Sequence, residues 1–349
     1  MTGEGPRLQG RAAVNLYRPG TDRPTSGVRR TAHLWSALAR SRLSDSFFAR
    51  HYRRLLVLLV IVVPLLLAAV IGWWCAVPSG QEVTSSPGTV RVAAIQFISQ
   101  WAKPAENRTR LETLIRQAAR NGAKIVVLPE VAIPGYMSHD IRFTWQVEDR
   151  PISPGLEGVS PEGVAETVPG ESTRAFGSLA KELKIYLTVP LVEVASKQIY
   201  YNTLVLMGPD GQIALHYRKL HPWRWAECGW ATPGNRGLQV LDTPYGRLGL
   251  LICYDINFEP PKLKANRVDH LLYAIAWVDD EESEWFAKTL PGIARETNAN
   301  IIGANWSVSD RPAWHGYGQS LVIRRNGRVL ARARKNLGNE IVYADLQVP

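Results

Sequence analysis

A chain of 349 residues with 46% hydrophobic side chains and 12 Trp can bury a large core. Its formal charge of +10 is lopsided: residues 1–54 hold 11 Arg, no Lys and three acids, a balance of 11 − 3 = +8, leaving 10 − 8 = +2 for the remainder. A nearly neutral main body argues against a nucleic-acid-binding face there. Three cysteines, Cys75, Cys228 and Cys253, exclude a disulfide framework.

Residues 1–54 form a basic tail. Up to residue 32 it is Arg-, Gly- and Pro-rich without periodicity and reads as disordered. For 33–54, which space Leu34, Leu38, Leu43 and Phe47 at helical intervals among arginines, two readings stay open: a helix on an anionic membrane surface, or a solvated tail. Residues 55–77 run 23 positions without a charge. As a helix they reach roughly 34 Å, enough to cross a bilayer. Pro64 is tolerated in such a span, and Trp73 and Trp74 suit its interfacial end. A cleaved signal peptide fits poorly, because the leader and the apolar run are too long and no small-residue cleavage site follows. Cys75, behind two tryptophans, is a poor lipidation site. The arginines before the span put the N-terminus in the cytoplasm and the rest in the periplasm or outside the cell. Residues 78–89 read as a linker.

From residue 90 to 349 strands and helices alternate as in an α/β domain. VRVAAIQF reads as a buried strand, 104–121 as an amphipathic helix stopped by Gly122, and KIVVLPE as a strand ending at Glu130. The Pro- and Gly-containing stretch 138–170 is too long for a plain connection and suits the lining of a site. ESTRAFGSLAKELK is a helix; IYLTVPLVEV and IYYNTLVLM are strands; Gly208-Pro209-Asp210-Gly211 turns into QIALHYRK, before Lys219. Leu248–Ile252 is a buried strand delivering Cys253. A short helix, the strand HLLYAIAW, a helix over 281–298, the strand NIIGANWS, a hairpin turning at Asn326-Gly327 and the strand EIVYADL complete the chain.

Glu130, Lys219 and Cys253 thus each follow a strand and can meet at one sheet edge. A strand that ends in a nucleophile and turns sharply exposes a reactive atom. A carboxylate with a raised pKa can deprotonate the thiol. An ammonium and the backbone N–H of Tyr254 can hold the oxyanion formed on attack at an amide carbon. Singly, each residue also reads as structure: an inert buried thiol, a loop charge, a solvated lysine. No CxxC or His/Cys cluster suggests a metal.

Together LPEVAIPGY, NTLVLMGPDGQIALHYRKLH and GRLGLLICYDINF resemble, in order, spacing and flanks, the nitrilase superfamily of carbon–nitrogen hydrolases with a Glu–Lys–Cys triad. The resemblance spans about 90–346. It implies a four-layer αββα sandwich formed when two subunits pack, a homodimer or larger oligomer, a small-molecule amide substrate and no cofactor. It places Glu227 as the second glutamate that orients the lysine or substrate. PW…E…GW…PG is similar to aliphatic amidases; CYDINF and HLLYAIAW are similar to the vanin and biotinidase branch. Tyr254, where true nitrilases carry Trp, favours amides. Phe258-Glu259-Pro260 departs from the usual order, so Glu259 is assigned to helix N-terminal structure. Trp223, Trp225, Trp230 and Trp277 are candidate pocket walls, with Trp223, Trp277, Glu227 and Tyr254 positioning substrate. His221 and Cys228 read as structural, and the sequons at Asn107 and Asn305 are discounted. Two other readings compete with a membrane-anchored amidohydrolase. One is an acyltransferase, since apolipoprotein N-acyltransferase resembles this arrangement but has several spans. The other is a non-catalytic binding module, against which the intact triad argues.

Overall fold

The structure, a computed structural model, describes residues 88–135, 146–147, 150–151, 161–223, 227, 229–277, 285–307, 318–334 and 338–349. The expected span 55–77, the tail before it, Cys75, Trp225 and Cys228 lie outside these residues. Among the described residues no helix is long and apolar enough to cross a membrane.

Six strands make the first sheet: β1 (Thr89–Gln96), β2 (Ile125–Val127), β5 (Tyr186–Ser196), β6 (Ile199–Met207), β7 (Ile213–Arg218) and β14 (Glu340–Gln347), in the order β14-β1-β2-β5-β6-β7. Six more make the second: β8 (Val240–Thr243), β9 (Gly246–Ile252), β10 (His270–Ala274), β11 (Asn300–Ala304), β12 (Leu321–Ile323) and β13 (Val329–Arg332), in the order β13-β12-β11-β10-β9-β8. A two-residue pair, β3 (Gln146–Val147) and β4 (Arg150–Pro151), stands apart. The helices are α1 (Pro104–Arg120), α2 (Glu171–Leu183), α3 (Pro260–Ala265) and α4 (Leu290–Thr297).

Strand alternation builds the layers. Val90, Val92 and Ala94 of β1, Ile125 and Val127 of β2, and Leu204 and Leu206 of β6 face the second sheet, packing with Leu248, Leu250, Leu271 and Ile301. Their neighbours Ala93, Ile95, Val126, Leu128 and Val205 turn the other way, onto Leu111 and Ile115 of α1 and Phe176 and Ala180 of α2. Leu263 of α3 and Leu290 and Ala294 of α4 belong to the cluster that includes the second sheet. One chain therefore supplies both sheets, correcting the expectation that two subunits must pack to make four layers. On α1 the buried positions Asn107, Leu111, Ile115 and Ala118 recur at helical spacing, with proline in the first turn.

Three expected elements differ and one is added. Pro129 cannot continue a ladder, and β2 stops at Val127. β10 stops at Ala274, short of Trp277. The helix expected over 281–298 is a π-turn, Trp285–Thr289, leading into α4, which begins beside Pro291. β8 was not foreseen; it pairs with β9 across a tight turn from Thr243 to Gly246.

Candidate active site

Strand direction collects the polar groups. β2, β5 and β7 run the same way, with β6 reversed between the last two. The residues after β2 and β7 and the first residues of β6 therefore share one edge, which holds Glu130, Lys219 and Asn202. In the second sheet β9, β10 and β11 are parallel, so Cys253, Ala276, Trp277 and Asn305 share an edge too. Two bonds stitch these edges together. The Glu130 N–H donates to Ile275 O at 3.3 Å, and Trp306 Nε1 donates to Glu130 O at 2.6 Å.

At this seam lies a buried ionic array. Lys219 Nζ donates to Glu130 Oε1 at 2.7 Å and to Glu227 Oε2 at 2.5 Å. Asn202 Nδ2 donates to Glu130 Oε1 and to Glu227 Oε1, both at 2.7 Å. The Trp223 N–H adds a bond to Glu227 Oε2 at 2.6 Å. None of Glu130, Lys219, Glu227 and Asn202 exceeds 1% exposure. Glu130 Oε2 is buried without a hydrogen-bond partner.

Cys253 follows β9 directly at φ +40° and opens a 3-10 turn. Left-handed backbone is unusual outside glycine, and here it turns the chain sharply at the thiol. Val131, immediately after Glu130, shares φ +40°, a true outlier for a β-branched residue. The Cys253 carbonyl accepts the Tyr273 hydroxyl at 2.8 Å.

Burial raises Glu130; Lys219 pulls it back and Glu227 pushes it further up, with a raised pKa as the outcome. Burial alone would lower Lys219, but Glu130 and Glu227 outweigh it and hold the ammonium charged. Burial pushes the Cys253 thiol well up, and Glu130 adds to that, against Lys219 and the Ala276 amide. The resting sulfur is therefore a neutral thiol that needs a base, and a buried carboxylate oxygen with free lone pairs is the kind of base it needs.

The other candidates scatter around this array. Glu227 joins it directly. Trp223 lies beside it, packed on a cluster of Val131, Tyr200, Trp230 and Trp306. Trp277 stacks on Trp285 with centroids 4.6 Å apart, and its N–H donates to Asn305 Oδ1 at 2.9 Å. The Tyr254 ring turns to the exposed Phe258. His221 Nε2 bonds Glu259 Oε1 at 3.1 Å. Glu259 sits just before Pro260 at the start of α3 and also reaches Lys262. Asn107 and Asn305 are buried, with their amides bonded to backbone carbonyls. Among the described residues no cluster of His, Cys, Asp and Glu could hold a metal.

Sequence reasoning missed Asn202 and Asp255. A lone amide in the apolar strand IYYNTLVLM was the available signal for the first. Asp255 is fully buried and ties the loop after Lys219 to the turn after Cys253. It accepts the His221 N–H at 2.8 Å, the Tyr217 hydroxyl at 2.7 Å and the Ile252 N–H at 3.4 Å. A cavity of about 580 Å³ lined by Thr173, Arg174, Lys181, Asp210 and Gln212 lies at the opposite edge of the first sheet, away from these groups.

Comparison with known proteins adds relatives. The family model for carbon–nitrogen hydrolases matches residues 91–349. Omega-amidase NIT2 of Homo sapiens is 33% identical over 270 residues, covering 74% of this chain and 88% of that protein. The Bos taurus omega-amidase NIT2 is 32% identical over 272 residues, covering 74% and 89%. Among solved structures, an amidase from Nesterenkonia sp. aligns with a TM-score of 0.63 at 21% identity, over 76% of this chain and 94% of its own. A mutant of that amidase carries the acetamide moiety of fluoroacetamide on its active-site cysteine and aligns with the same score and identity.

Proposed function

The chain belongs to the carbon–nitrogen hydrolase family and acts on amides, and from that premise we propose a membrane-anchored amidohydrolase working through a thioester on Cys253. The observation that carries the reading is the buried Glu130–Lys219–Glu227 array at the seam where Cys253 follows its strand.

Glu130 Oε2 takes the thiol proton as Sγ bonds to the amide carbon. The carbonyl electron pair moves onto oxygen, where the Lys219 ammonium and the Tyr254 N–H stabilise the oxyanion. Collapse breaks the C–N bond, and Glu130 returns its proton to the departing nitrogen. Water, deprotonated by Glu130, then adds to the thioester; the C–S bond breaks, the acid leaves and the thiol is restored. Glu227 fixes Lys219 in place, Trp223 and Trp277 wall the substrate, and no cofactor is required.

The omega-amidase relatives support a terminal (omega) amide as substrate. The apolar run 55–77 and the arginines before it support a single span, with the catalytic domain periplasmic or extracellular. The nitrilase resemblance supports at least a homodimer.

The test is ammonia or amine release by residues 79–349 from primary and secondary amides. Cys253→Ala is expected to abolish turnover, and Glu130→Gln to lower kcat by about 10²- to 10⁴-fold. Undiminished turnover in Cys253→Ala sinks the thioester. Acyl transfer from phospholipid to an amine by the full chain, without hydrolysis, selects the acyltransferase instead.

A further inference from the structure

Two buried carboxylates flank Lys219, and the reaction requires one base. The hydrogen bonds separate them. Both Glu227 oxygens are occupied, Oε1 by Asn202 and Oε2 by Lys219 and the Trp223 N–H. Glu130 Oε1 takes Lys219 and Asn202, whereas Glu130 Oε2 is buried with no partner. Asn202 Nδ2 thus clamps one oxygen of each carboxylate.

Resting on the amidohydrolase reading above, we propose that Asn202 is the positioning residue that assigns the base. Its amide locks Glu227 out of proton transfer and turns Glu130 so that only Oε2 can receive the Cys253 proton. An amide suits this task better than a charged group. A second cation would lower the basicity of Glu130, and a third carboxylate would repel the other two. Two N–H bonds brace both carboxylates and add no charge. The backbone supports the clamp: the Lys219 N–H donates to Asn202 O at 2.8 Å, so amide and ammonium are held across adjacent strands.

The test compares the wild-type enzyme with Asn202→Ala and Asn202→Asp. Each rate is normalised to the Cys253 thiols that an electrophile labels, so that misfolded protein is not counted. Asn202→Ala is expected to lower kcat about 10- to 100-fold, the loss of a hydrogen bond to a charged group, with a smaller change in KM. Glu130 then loses a donor to its ionised form, so the acidic limb of kcat/KM moves to higher pH. Asn202→Asp is expected to lose more, and increasingly as pH rises. Normalised kcat and acidic limb unchanged in Asn202→Ala would overturn the proposal and leave Asn202 a structural amide. Should neither variant fold, Glu227→Gln decides: the proposal expects the acidic limb to persist, and its disappearance overturns it. An inactive wild type, by contrast, counts against the amidohydrolase reading itself.

Discussion

Asp255 shows how one side chain ties the site to the fold. Its carboxylate takes donors from Tyr217 on the first sheet, from the His221 backbone after Lys219, and from Ile252 before Cys253. Burial pushes its pKa up to about 7, against the opposing pull of Lys219 and these donors. The folded protein therefore holds this proton more tightly than the unfolded chain, whose aspartates titrate near about 3.9. The stabilisation is full below the unfolded value and is lost as pH rises through the folded one. Asp255→Asn cannot titrate and removes that slope. Urea unfolding at about pH 5 and about pH 8 should show the wild type losing on the order of a few kcal/mol relative to the variant. Parallel pH profiles for the two proteins would refute the assignment.

At the scale of elements, the seam depends on loops lying tight against strand ends. Gly234 is the clearest case. Its N–H donates to Lys219 O at 2.7 Å, and a Cβ there would stand 2.1 Å from Arg218 O and 2.8 Å from Lys219 O. Backbone oxygens cannot yield as a flexible side chain can. Gly234→Ala must therefore push the loop off β7 or move Lys219 itself. The expected outcome is a fall in kcat of at least about tenfold, since small displacements of catalytic groups are costly, with Cys253 still open to an alkylating agent. Full activity in Gly234→Ala would mean that the loop is free to shift. Such contacts explain what the sequence discloses. Glu130, Lys219 and Cys253 were legible as candidates because each follows a strand-like run; the topology carries Glu130 and Lys219 to one edge of the first sheet and Cys253 to the facing edge of the second. The turns at Gly208-Pro209-Asp210-Gly211 and Asn326-Gly327 were legible because their chemistry is local, and Gly211 and Gly327 do take positive φ. β8 was not, because VLDT is short and partly exposed, and only pairing with β9 makes it a strand. Asn202 and Asp255 were not, because their meaning lies in partners as far away in sequence as Glu130 and Tyr217.

At the scale of the whole molecule, charge is distributed as a tether would require. Residues 1–54 carry +8 of the total +10, and an apolar run of 23 residues separates them from everything else. Arginines on one flank of such a run resist translocation, while the neutral flank PSGQEVTSSPG offers no opposition. Residues 81–349 form a compact unit of their own, with both sheets and every residue of the buried array inside it. Two outcomes follow from the anchor proposal. The full chain should stay in the membrane pellet through an alkaline carbonate wash, and removing residues 1–80 should move the protein to the soluble fraction with kcat unchanged within about twofold, because Asn202 and Glu227, which hold Glu130 and Lys219 in place, are retained. Protease added to spheroplasts, which exposes a periplasmic or an extracellular domain alike, should degrade the catalytic unit and spare the arginine tail. Release of the full chain by carbonate would refute the span. Protection of the catalytic unit in spheroplasts, with degradation after lysis, would leave the span and reverse its orientation.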